Sequence, residues 1–449
     1  MKKETQESKT KRVRTVEGIP TCLSLFSGGG GLDLGFEKAG FKILSATDNE
    51  INAEKTYNKN WPKTPFILGD IRKIDKDSII DSLGGRRPDV IIGGPPCQGF
   101  STLGARNSSD PRNSLVNEFI RVVEHLRPQA ILVENVKAIS TEYNGRYRDY
   151  VIEEFTKLGY NMSFDVLDAA NYGVPQHRQR AFFVGFADPR VSYEYPKPTH
   201  GANLKKYSTV GDAINDLAKK HVQVENHVPL NHSEIVIARY KLIKEGGAIP
   251  PPEELPKEIR RKNFGSTYKR LHREKPALTM VPGNNAFPVH PTLNRSLTVR
   301  EAARIQSFPD THVFCGDRRS QCILAGNAVP PLLADALASS IKKVIHPFKG
   351  KASKVSNIPP HEIDYEKSNI ENITIKKTNK KETSKKGFVD LFCGAGGFLV
   401  GLKNAGLTPL VSSDFNDRVR DTHHLNYPEQ PFVHGDIGLP KVQEEVASF

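Results

Sequence analysis

A cysteine on a rigid turn is the first candidate for chemistry in this chain. Residues 93–98 read Gly-Gly-Pro-Pro-Cys-Gln and follow the apolar run 89–92, which is typical of a buried strand. The chemistry of α/β proteins lies at the carboxyl ends of such strands. Two prolines fix the backbone before Cys97 and present its thiol in one direction. The pattern predicts a nucleophile, and a small buried cysteine is the ordinary alternative.

A carboxylate and two arginines are expected at the same edge of the sheet. The apolar run 130–133 ends in Glu134, and Arg178 and Arg180 come just before the apolar run 181–184. Alternate residues of an extended chain face one side, so the two guanidinium groups point together. An Arg-x-Arg taken singly is usually a solvated surface pair. A thiol, a carboxylate and paired arginines at strand ends of one domain form a site for an electron-poor ring.

A strand, a glycine turn and a helix follow one another near the start of the chain. Residues 21–26 are strand-like, residues 28–31 are all glycine, and residues 32–39 begin a helix. This arrangement lets a ligand approach the backbone closely. Asp48 ends a second strand, at the spacing where nucleotide-binding domains place an acid on ribose hydroxyls. A dehydrogenase is the alternative, but strict G-x-G-x-x-G spacing is absent and a thiol loop has no place in hydride transfer.

Six segments resemble, in order, the motifs of the cytosine-5 DNA methyltransferases. They are residues 26–31, 95–98, 134–136, 176–180, 297–310 and 326–330. The resemblance covers about residues 20–345, and the ordered set is far more specific than any single motif. It implies an α/β fold in which a Rossmann-like, S-adenosylmethionine-dependent methyltransferase domain carries an inserted, smaller target-recognition domain.

The resemblance also implies the cofactor, S-adenosyl-L-methionine, and the residues that hold it. Asp48 would hold the ribose, Asp70 the adenine amine, and Phe26 and Ile71 would pack near the adenine. The complete set of expected cofactor residues is Phe26, Gly28, Gly30, Gly31, Asp48, Asn49, Asp70, Ile71, Pro95, Leu115, Asn327 and Val329.

The implied reaction is methylation of cytosine at carbon 5. Cys97 would add to carbon 6 as a thiolate, which makes carbon 5 nucleophilic. Glu134 would protonate or hydrogen-bond ring nitrogen 3, and a dry pocket favours the protonated carboxyl that this requires. Arg178 or Arg180 would hold the ring carbonyl or orient the glutamate.

The expected substrate is double-stranded DNA, with the target base flipped out because the duplex hides carbon 6. A formal net charge of +13 suits a phosphate backbone, although Lys-rich tails inflate it. Recognition is expected where the sheet pattern breaks off, between about residues 193 and 291. The residues expected to contact DNA are Gln98, Ser101, Arg106, Tyr268, Arg270, His272 and Arg273.

Composition and pattern predict five segments. They are a disordered basic arm at 1–19, a catalytic and cofactor-binding domain at 20–195 and 311–347, a target-recognition domain with its hinge at 196–310, a Lys-rich linker at 348–387, and the amino-terminal half of a second methyltransferase domain at 388–449. The 5 cysteines lack the paired spacing of a metal site or a disulfide framework. No apolar stretch has the length of a membrane span, and no signal-peptide core is evident. A prokaryotic cytoplasm, with the nucleoid, is the expected location.

An internal repeat supports the last segment. Leu391-Phe-Cys-Gly-Ala-Gly-Gly restates the sequence from Leu25, and Gly435-Asp-Ile restates Gly69-Asp-Ile, both at an offset of 366. Asp414 then falls on Asp48. At that offset the counterpart of Cys97 would lie beyond the sequence, so we expect this copy to be incomplete and unable to transfer a methyl group by itself.

Three function classes are compatible with these patterns. A DNA methyltransferase, monomeric and paired in function with a cognate restriction endonuclease, is favoured by the recognition insert and the tandem arrangement. An RNA cytosine-5 methyltransferase, acting on tRNA, is the alternative, because some relatives share the same motifs. A non-catalytic DNA-binding protein is disfavoured, because every catalytic residue type is retained in the first copy.

Overall fold

The chain divides into two structural units, residues 1–362 and 363–449. The computed structural model describes residues 18–96, 115–141, 145–219, 223–281 and 286–345 of the first unit, and residues 387–391, 399, 407–414, 419–420, 423–424, 427–435 and 440–448 of the second. Nearly all of the predicted basic arm and linker lie outside the described residues. So do Cys97, Gln98, Ser101 and Arg106.

A seven-stranded sheet organises the first unit, with the order β3-β2-β1-β4-β5-β7-β6. The strands are β1 Thr21–Leu25, β2 Lys42–Asp48, β3 Phe66–Leu68, β4 Val90–Gly93, β5 Ala130–Val136, β6 Asn161–Asp168 and β7 Gln179–Phe186. The first five are parallel, and the order reverses between β1 and β4. Ligands of open α/β sheets bind at such a reversal. The predicted α/β class is confirmed.

β7 runs antiparallel to both of its neighbours, β5 and β6. Its amino-terminal end therefore lies at the same edge of the sheet as the carboxyl ends of β4 and β5. This is the edge where the sequence places the Pro-Pro-Cys turn and Glu134. Because β7 is reversed, the residues just before β7 lie beside the residues that follow β4 and β5.

The helices of the first unit are α1 Gly31–Lys38, α2 Ile51–Asn60, α3 Lys76–Ser82, α4 Leu115–Leu126, α5 Arg146–Lys157, α6 Val210–Ile214, α7 Glu234–Lys241, α8 Val299–Ile305, α9 Arg318–Asn327 and α10 Pro331–Lys342. Some of them cover the two faces of the sheet. α1 and α10 contribute to the core on one face, and α3, α4 and α5 to the core on the other. Burial on both sides explains why β4 is a continuous apolar run.

The segment between β7 and α8 has little regular structure. Its described residues hold two short helices, α6 and α7, and three single 3₁₀ turns at Pro252–Glu254, Lys257–Ile259 and Ser266–Tyr268. Its packing continues into α8 and α9 through one shared apolar cluster. The expectation that the sheet pattern breaks off here is met.

The second unit repeats the backbone pairing of the first. Its elements are β8 Gly387–Leu391, β9 Thr408–Asp414, β10 Phe432–His434 and α11 Pro440–Ala447, with the parallel strand order β10-β9-β8. Each strand begins and ends 366 residues after its counterpart among β1, β2 and β3. The register is also the same, including an irregularity between Phe388 and Val389 that matches one between Cys22 and Leu23.

Within the described part of the chain, no single helix has the length and apolar character to cross a membrane. α9 and α10 meet that criterion only when taken together as a bent pair, on length and composition alone.

The contact between α1 and α10 yields a test of packing. A β-carbon on Gly35 would overlap that of Ala334 and lie 2.6 Å from its carbonyl carbon. We expect Gly35→Ala to lower the free energy of unfolding of the first unit by about 1–3 kcal/mol, because separating the helices costs more than alanine gains in a helix. Thermal unfolding followed by fluorescence of Trp61, the only tryptophan, measures the change.

Gly265→Ala is the matched control, because a β-carbon there would meet no atom within 4 Å. Its unfolding midpoint should equal that of the wild type. A Gly35→Ala protein as stable as the wild type would contradict the close approach of the two helices.

Candidate active site

Glu134 and Arg180 form a buried ion pair at the carboxyl edge of the sheet. Arg180 Nε lies 3.0 Å from Glu134 Oε1, and each side chain is only 13% exposed. Glu134 lies on β5, and Arg180 lies near the start of β7, where antiparallel pairing sets it across from Val136. The structure therefore brings together the carboxylate and one of the two arginines that the sequence singled out.

Arg178 lies deeper and has a different set of contacts. Its side chain is fully buried, and its Nη2 donates a hydrogen bond of 3.0 Å to the carbonyl oxygen of Asn327. Burial first, and then the positive charge of Arg180, lower the pKa of Arg178 to about 9, while Glu134 acts against the change. Of the two candidates, Arg180 orients the glutamate, whereas Arg178 ties this edge to the end of α9.

The environment of Glu134 favours a protonated carboxyl. Burial raises its pKa above the ordinary value, while the positive charges of Arg180 and Arg178 oppose the rise. The side chain is thus held by a cation in one orientation and yet is easier to protonate than an exposed glutamate. These are the properties that a positioned general acid needs.

The turn that leads to Cys97 is held directly against this glutamate. A β-carbon on Gly94 would lie 2.8 Å from Glu134 Oε2. Asn135 Nδ2 donates a hydrogen bond of 3.0 Å to the carbonyl oxygen of Pro95. Sequence reasoning missed this role of Asn135. The position of Asn135 next to Glu134 in the same motif could have indicated it. Cys97 itself lies outside the described residues.

A cavity of about 220 Å³ opens between the glycine turn and Glu134. It lies beside the reversal of strand order between β1 and β4. Its lining residues are Phe26, Ser27, Gly28, Gly29, Gly31, Leu32, Asp48, Glu50, Gly94, Glu134, Ile323, Leu324, Asn327, Ala328 and Val329. Among the expected cofactor residues, those outside this lining are Gly30, Asn49, Asp70, Ile71, Pro95 and Leu115.

The glycine turn serves both the cavity and the packing behind it. Gly28 has φ +50°, and a β-carbon there would meet no atom within 4 Å, so its backbone is open to a ligand. On Gly29 a β-carbon would lie 2.7 Å from the carbonyl oxygen of Leu324, and on Gly31 it would overlap that of Val329. Phe26 also has positive φ, at 54°, an unusual strain for a non-glycine residue.

Asp48 anchors this turn through the backbone. Its Oδ2 accepts a hydrogen bond of 2.8 Å from the Gly28 amide, and its Oδ1 accepts one of 3.0 Å from the Glu50 amide. Glu50 also lines the cavity and is exposed. Sequence reasoning missed Glu50, although it is a second acid at the same junction between strand and helix.

Asp70 is engaged by a neighbour rather than open to the cavity. Arg72 donates to both of its carboxylate oxygens, with a closest distance of 2.6 Å. The hydrogen bonds from Arg72 lower the pKa of Asp70 to about 2. Ile71 is buried in the core beside α4.

Two of the predicted DNA contacts, Arg270 and Tyr268, are buried in the structure. Arg270 is 6% exposed. Its guanidinium donates to the carbonyl oxygens of Tyr240, Ile243, His290 and Leu293 and to the side chain of Asn294. Tyr268 is 8% exposed and packs on the rings of Tyr240 and Phe264. Both side chains therefore stabilise the segment from within.

Arg273 and His272 lie nearer the surface. Arg273 is exposed and forms an ion pair of 2.8 Å with Glu245, whose pKa its hydrogen bonds lower to about 2. His272 is half-buried, and its Nδ1 accepts a hydrogen bond from the backbone amide of Glu274.

The buried position of Arg270 can be tested by stability. Arg270→Lys leaves carbonyl groups without donors, because an ammonium cannot reproduce the guanidinium fork. We expect a loss of about 2–4 kcal/mol in the free energy of unfolding, measured by chemical denaturation. The control Arg273→Ala removes an exposed ion pair and should change it by less than about 1 kcal/mol. Equal effects of the two variants would be inconsistent with this assignment.

Comparison with known proteins is consistent with this geometry. The family model of the C-5 cytosine-specific DNA methylases matches residues 21–343 and 387–446. Type II methyltransferase M1.HphI of Haemophilus parahaemolyticus is 39% identical over 332 residues, which cover 72% of this chain and 87% of that protein. Type II methyltransferase M.DdeI of Desulfomicrobium norvegicum is 35% identical over 365 residues, covering 71% and 88%.

A solved structure gives the same result for the fold. An E. coli prophage protein described as a DNA modification methyltransferase superposes with a TM-score of 0.59 at 26% identity, covering 72% of this chain and 99% of that one. The predicted family, enzyme class and cofactor are confirmed. The chain belongs to the C-5 cytosine-specific DNA methylases, which use S-adenosylmethionine as the methyl donor.

Proposed function

We propose that this chain methylates a flipped-out cytosine within a specific double-stranded DNA sequence and so protects that sequence from a cognate restriction endonuclease. The single observation that carries the proposal is the Glu134 carboxyl, buried, oriented by Arg180 and covered by the turn that leads to Cys97. The names of the similar Type II methyltransferases support DNA over RNA as the substrate.

The reaction would divide between Cys97 and Glu134. The Cys97 thiolate adds to carbon 6 of the ring, and the electron pair released toward nitrogen 3 is met by the proton of Glu134. Carbon 5 then carries the nucleophilic pair that accepts the methyl group. A base then removes the carbon 5 proton as the thiolate is expelled. Return of the nitrogen 3 proton to Glu134 restores the ring and the enzyme.

The position of Arg180 supports the role proposed for Glu134 as the proton donor. Its contact with Oε1 fixes the carboxyl group, and Oε2 then faces the turn at Gly94. Burial raises the pKa of Glu134, and the positive charge of Arg180 opposes that rise. Arg178 would act indirectly, through the Asn327 carbonyl at the rim of the cavity.

The chemical groups that line the cavity suit the methyl donor. S-adenosylmethionine supplies an electrophilic methyl group on a sulfonium. The open backbone at Gly28 suits close approach of that ligand, and Glu50 presents a carboxylate suited to ribose hydroxyls. Asp48 would act by anchoring the turn, and Asp70 would have to exchange Arg72 for the adenine amine.

DNA recognition is proposed for the irregular segment within residues 196–310. Base contacts specify a sequence whereas phosphate contacts position the protein, and Arg273 is suited to the second task. Gln98, Ser101 and Arg106 are proposed to contact DNA from the loop after Cys97. We further propose that the chain acts as a monomer in the cytoplasm, with the nucleoid.

The domain boundaries drawn from the sequence stand as proposals. The observation in their favour is that the strands of β1 to β7 lie within residues 20–195 and that α10 lies within residues 311–347. For residues 388–449, the repeated strand order and register support a second methyltransferase domain.

The space beside Glu134 yields one prediction of activity. Gly94→Ala places a methyl group against Oε2 and should displace the carboxyl from the target base. We expect kcat/KM for methyl transfer to fall about 100-fold while the unfolding midpoint stays unchanged. Methyl transfer from labelled cofactor to DNA measures the effect. Full activity of Gly94→Ala would contradict the position assigned to Glu134.

The proposed function itself is tested by trapping. DNA with 5-fluorocytosine at the target should form a stable adduct with the protein when cofactor is present, because fluorine cannot leave as the proton does. Cys97→Ser should abolish both adduct and turnover. Bisulfite sequencing of methylated genomic DNA, beside the same assay on tRNA, identifies the substrate. Methylation of tRNA but not DNA, or full turnover by Cys97→Ser, would overturn the proposal.

A further inference from the structure

Asp33 is a buried carboxyl group in the first turn of α1, next to two residues that line the cavity. It is 0% exposed, and Gly31 and Leu32 before it belong to the lining. Its Oδ1 accepts a hydrogen bond of 3.0 Å from the Tyr57 hydroxyl. Its Oδ2 has no hydrogen bond of normal geometry among the residues that the structure describes. A buried carboxyl oxygen without a partner lowers stability, so packing alone does not explain this residue.

Asp33 is negatively charged at neutral pH. Burial raises its pKa to about 6, while the side chains of Ser24 and Tyr57 and its own backbone amide oppose the rise. The other ionisable groups around it are Cys22, Tyr57 and Glu37. Burial, together with the nearby acids, raises the pKa of Cys22 and of Tyr57 well above the ordinary values. None of these three groups supplies a positive charge, so they leave the charge of Asp33 unneutralised.

The second unit places a buried carboxyl group at the same point of the fold from a different element. At the offset of 366 the counterpart of Asp33 is the buried Leu399, and the counterpart of Ser24 is Asp390, on β8, which is also buried. Burial raises the pKa of Asp390 and the backbone amide of Leu399 opposes the rise, as the amide of residue 33 does for Asp33. Asp390 Oδ2 likewise lacks a partner among the described residues. The fold therefore accepts leucine at this helix position, yet both units keep the carboxyl group.

We propose that Asp33 is a specificity-determining residue whose negative charge makes the cavity prefer the cationic methyl donor to its uncharged product. S-adenosylmethionine carries a positive sulfonium, and transfer of its methyl group leaves the neutral thioether S-adenosylhomocysteine. A charge in a poorly solvated interior acts at a distance, without contact. Asp33 therefore strengthens binding of the donor but not of the product, which favours exchange of the two after each reaction.

The start of α1 lies at the end of the cavity that Glu134 lines. A β-carbon on Gly31 would overlap the carbonyl oxygen of Val329. Two residues earlier in the chain, the Asn327 carbonyl accepts a hydrogen bond from Arg178, whose positive charge acts on Glu134. The inference rests on the proposed function at this point, because a base held by Glu134 requires the sulfonium at the same end of the cavity.

The test compares the dissociation constants of the full chain for S-adenosylmethionine and S-adenosylhomocysteine, measured by titration calorimetry at slightly alkaline pH. Asp33→Asn keeps the shape of the side chain and an acceptor for the Tyr57 hydroxyl but removes the charge. We expect it to lower the preference for the donor by about tenfold while the affinity for the product stays unchanged. The control Glu37→Gln removes an exposed acid from the same helix and should keep the preference of the wild type, because water screens that charge.

An unchanged preference in Asp33→Asn, or an equal loss of affinity for both ligands, would overturn the proposal. The second result would mean that the residue only supports the fold.

A second variant covers the case in which Asp33→Asn does not fold. The preference of the wild type for the donor should fall as the pH drops through about 6, because Asp33 then takes up a proton and loses its charge. Tyr57→Phe removes the hydroxyl that donates to Oδ1 and thereby raises the pKa of Asp33. The midpoint of the fall should move to higher pH. A preference that does not depend on pH in the wild type, or a midpoint that stays in place in Tyr57→Phe, would also overturn the proposal.

Methylation of DNA is measured in the same preparations and separates two failures. A missing preference for the donor with methylation intact overturns only the role of Asp33. Absence of methylation from every preparation, including the wild type, overturns the proposed function instead.

Discussion

The ion pair between Glu134 and Arg180 is the interaction on which the arrangement of the carboxyl edge of the sheet depends. A buried carboxylate is costly unless it is paired, and a paired carboxylate is a poor proton donor unless burial restores its proton affinity. The structure balances these two effects at one side chain. β7 must run antiparallel for Arg180 to reach β5, and residue 94 must be glycine because Oε2 occupies the space of a β-carbon.

A second set of contacts joins this edge to the cofactor crevice. Arg178 reaches the end of α9 through the Asn327 carbonyl, and the loop after α9 packs on the glycine turn through Val329. Asp48 holds the opposite side of that turn through the Gly28 amide. Residues far apart in the sequence therefore fix a single crevice, with the acid at one end and the open backbone of Gly28 at the other.

Much of this arrangement could be predicted from the sequence. The strand ends, the glycine turn and the approach of Glu134 and Arg180 follow from apolar runs, alternation and motif order. The turn geometry could not be predicted, because Asp48 and Glu50 are both acids at one junction and only the backbone decides which one anchors the glycine turn. The burial of Arg270 could not be predicted either. An irregular segment lacks the helix or strand periodicity from which the direction of a side chain is inferred.

The most direct test of the central claim is the pH dependence of kcat/KM in Arg180→Met. Removing this cation removes the main opposition to the raised pKa of Glu134, so its carboxyl should hold a proton to a higher pH. Glu134→Gln should remove one limb of the profile, and in Arg180→Met that same limb should move to higher pH. Arg190→Met, which removes an exposed arginine paired with Asp188, should leave the profile unchanged. A limb that stays in place in Arg180→Met, or moves to lower pH, would contradict the account.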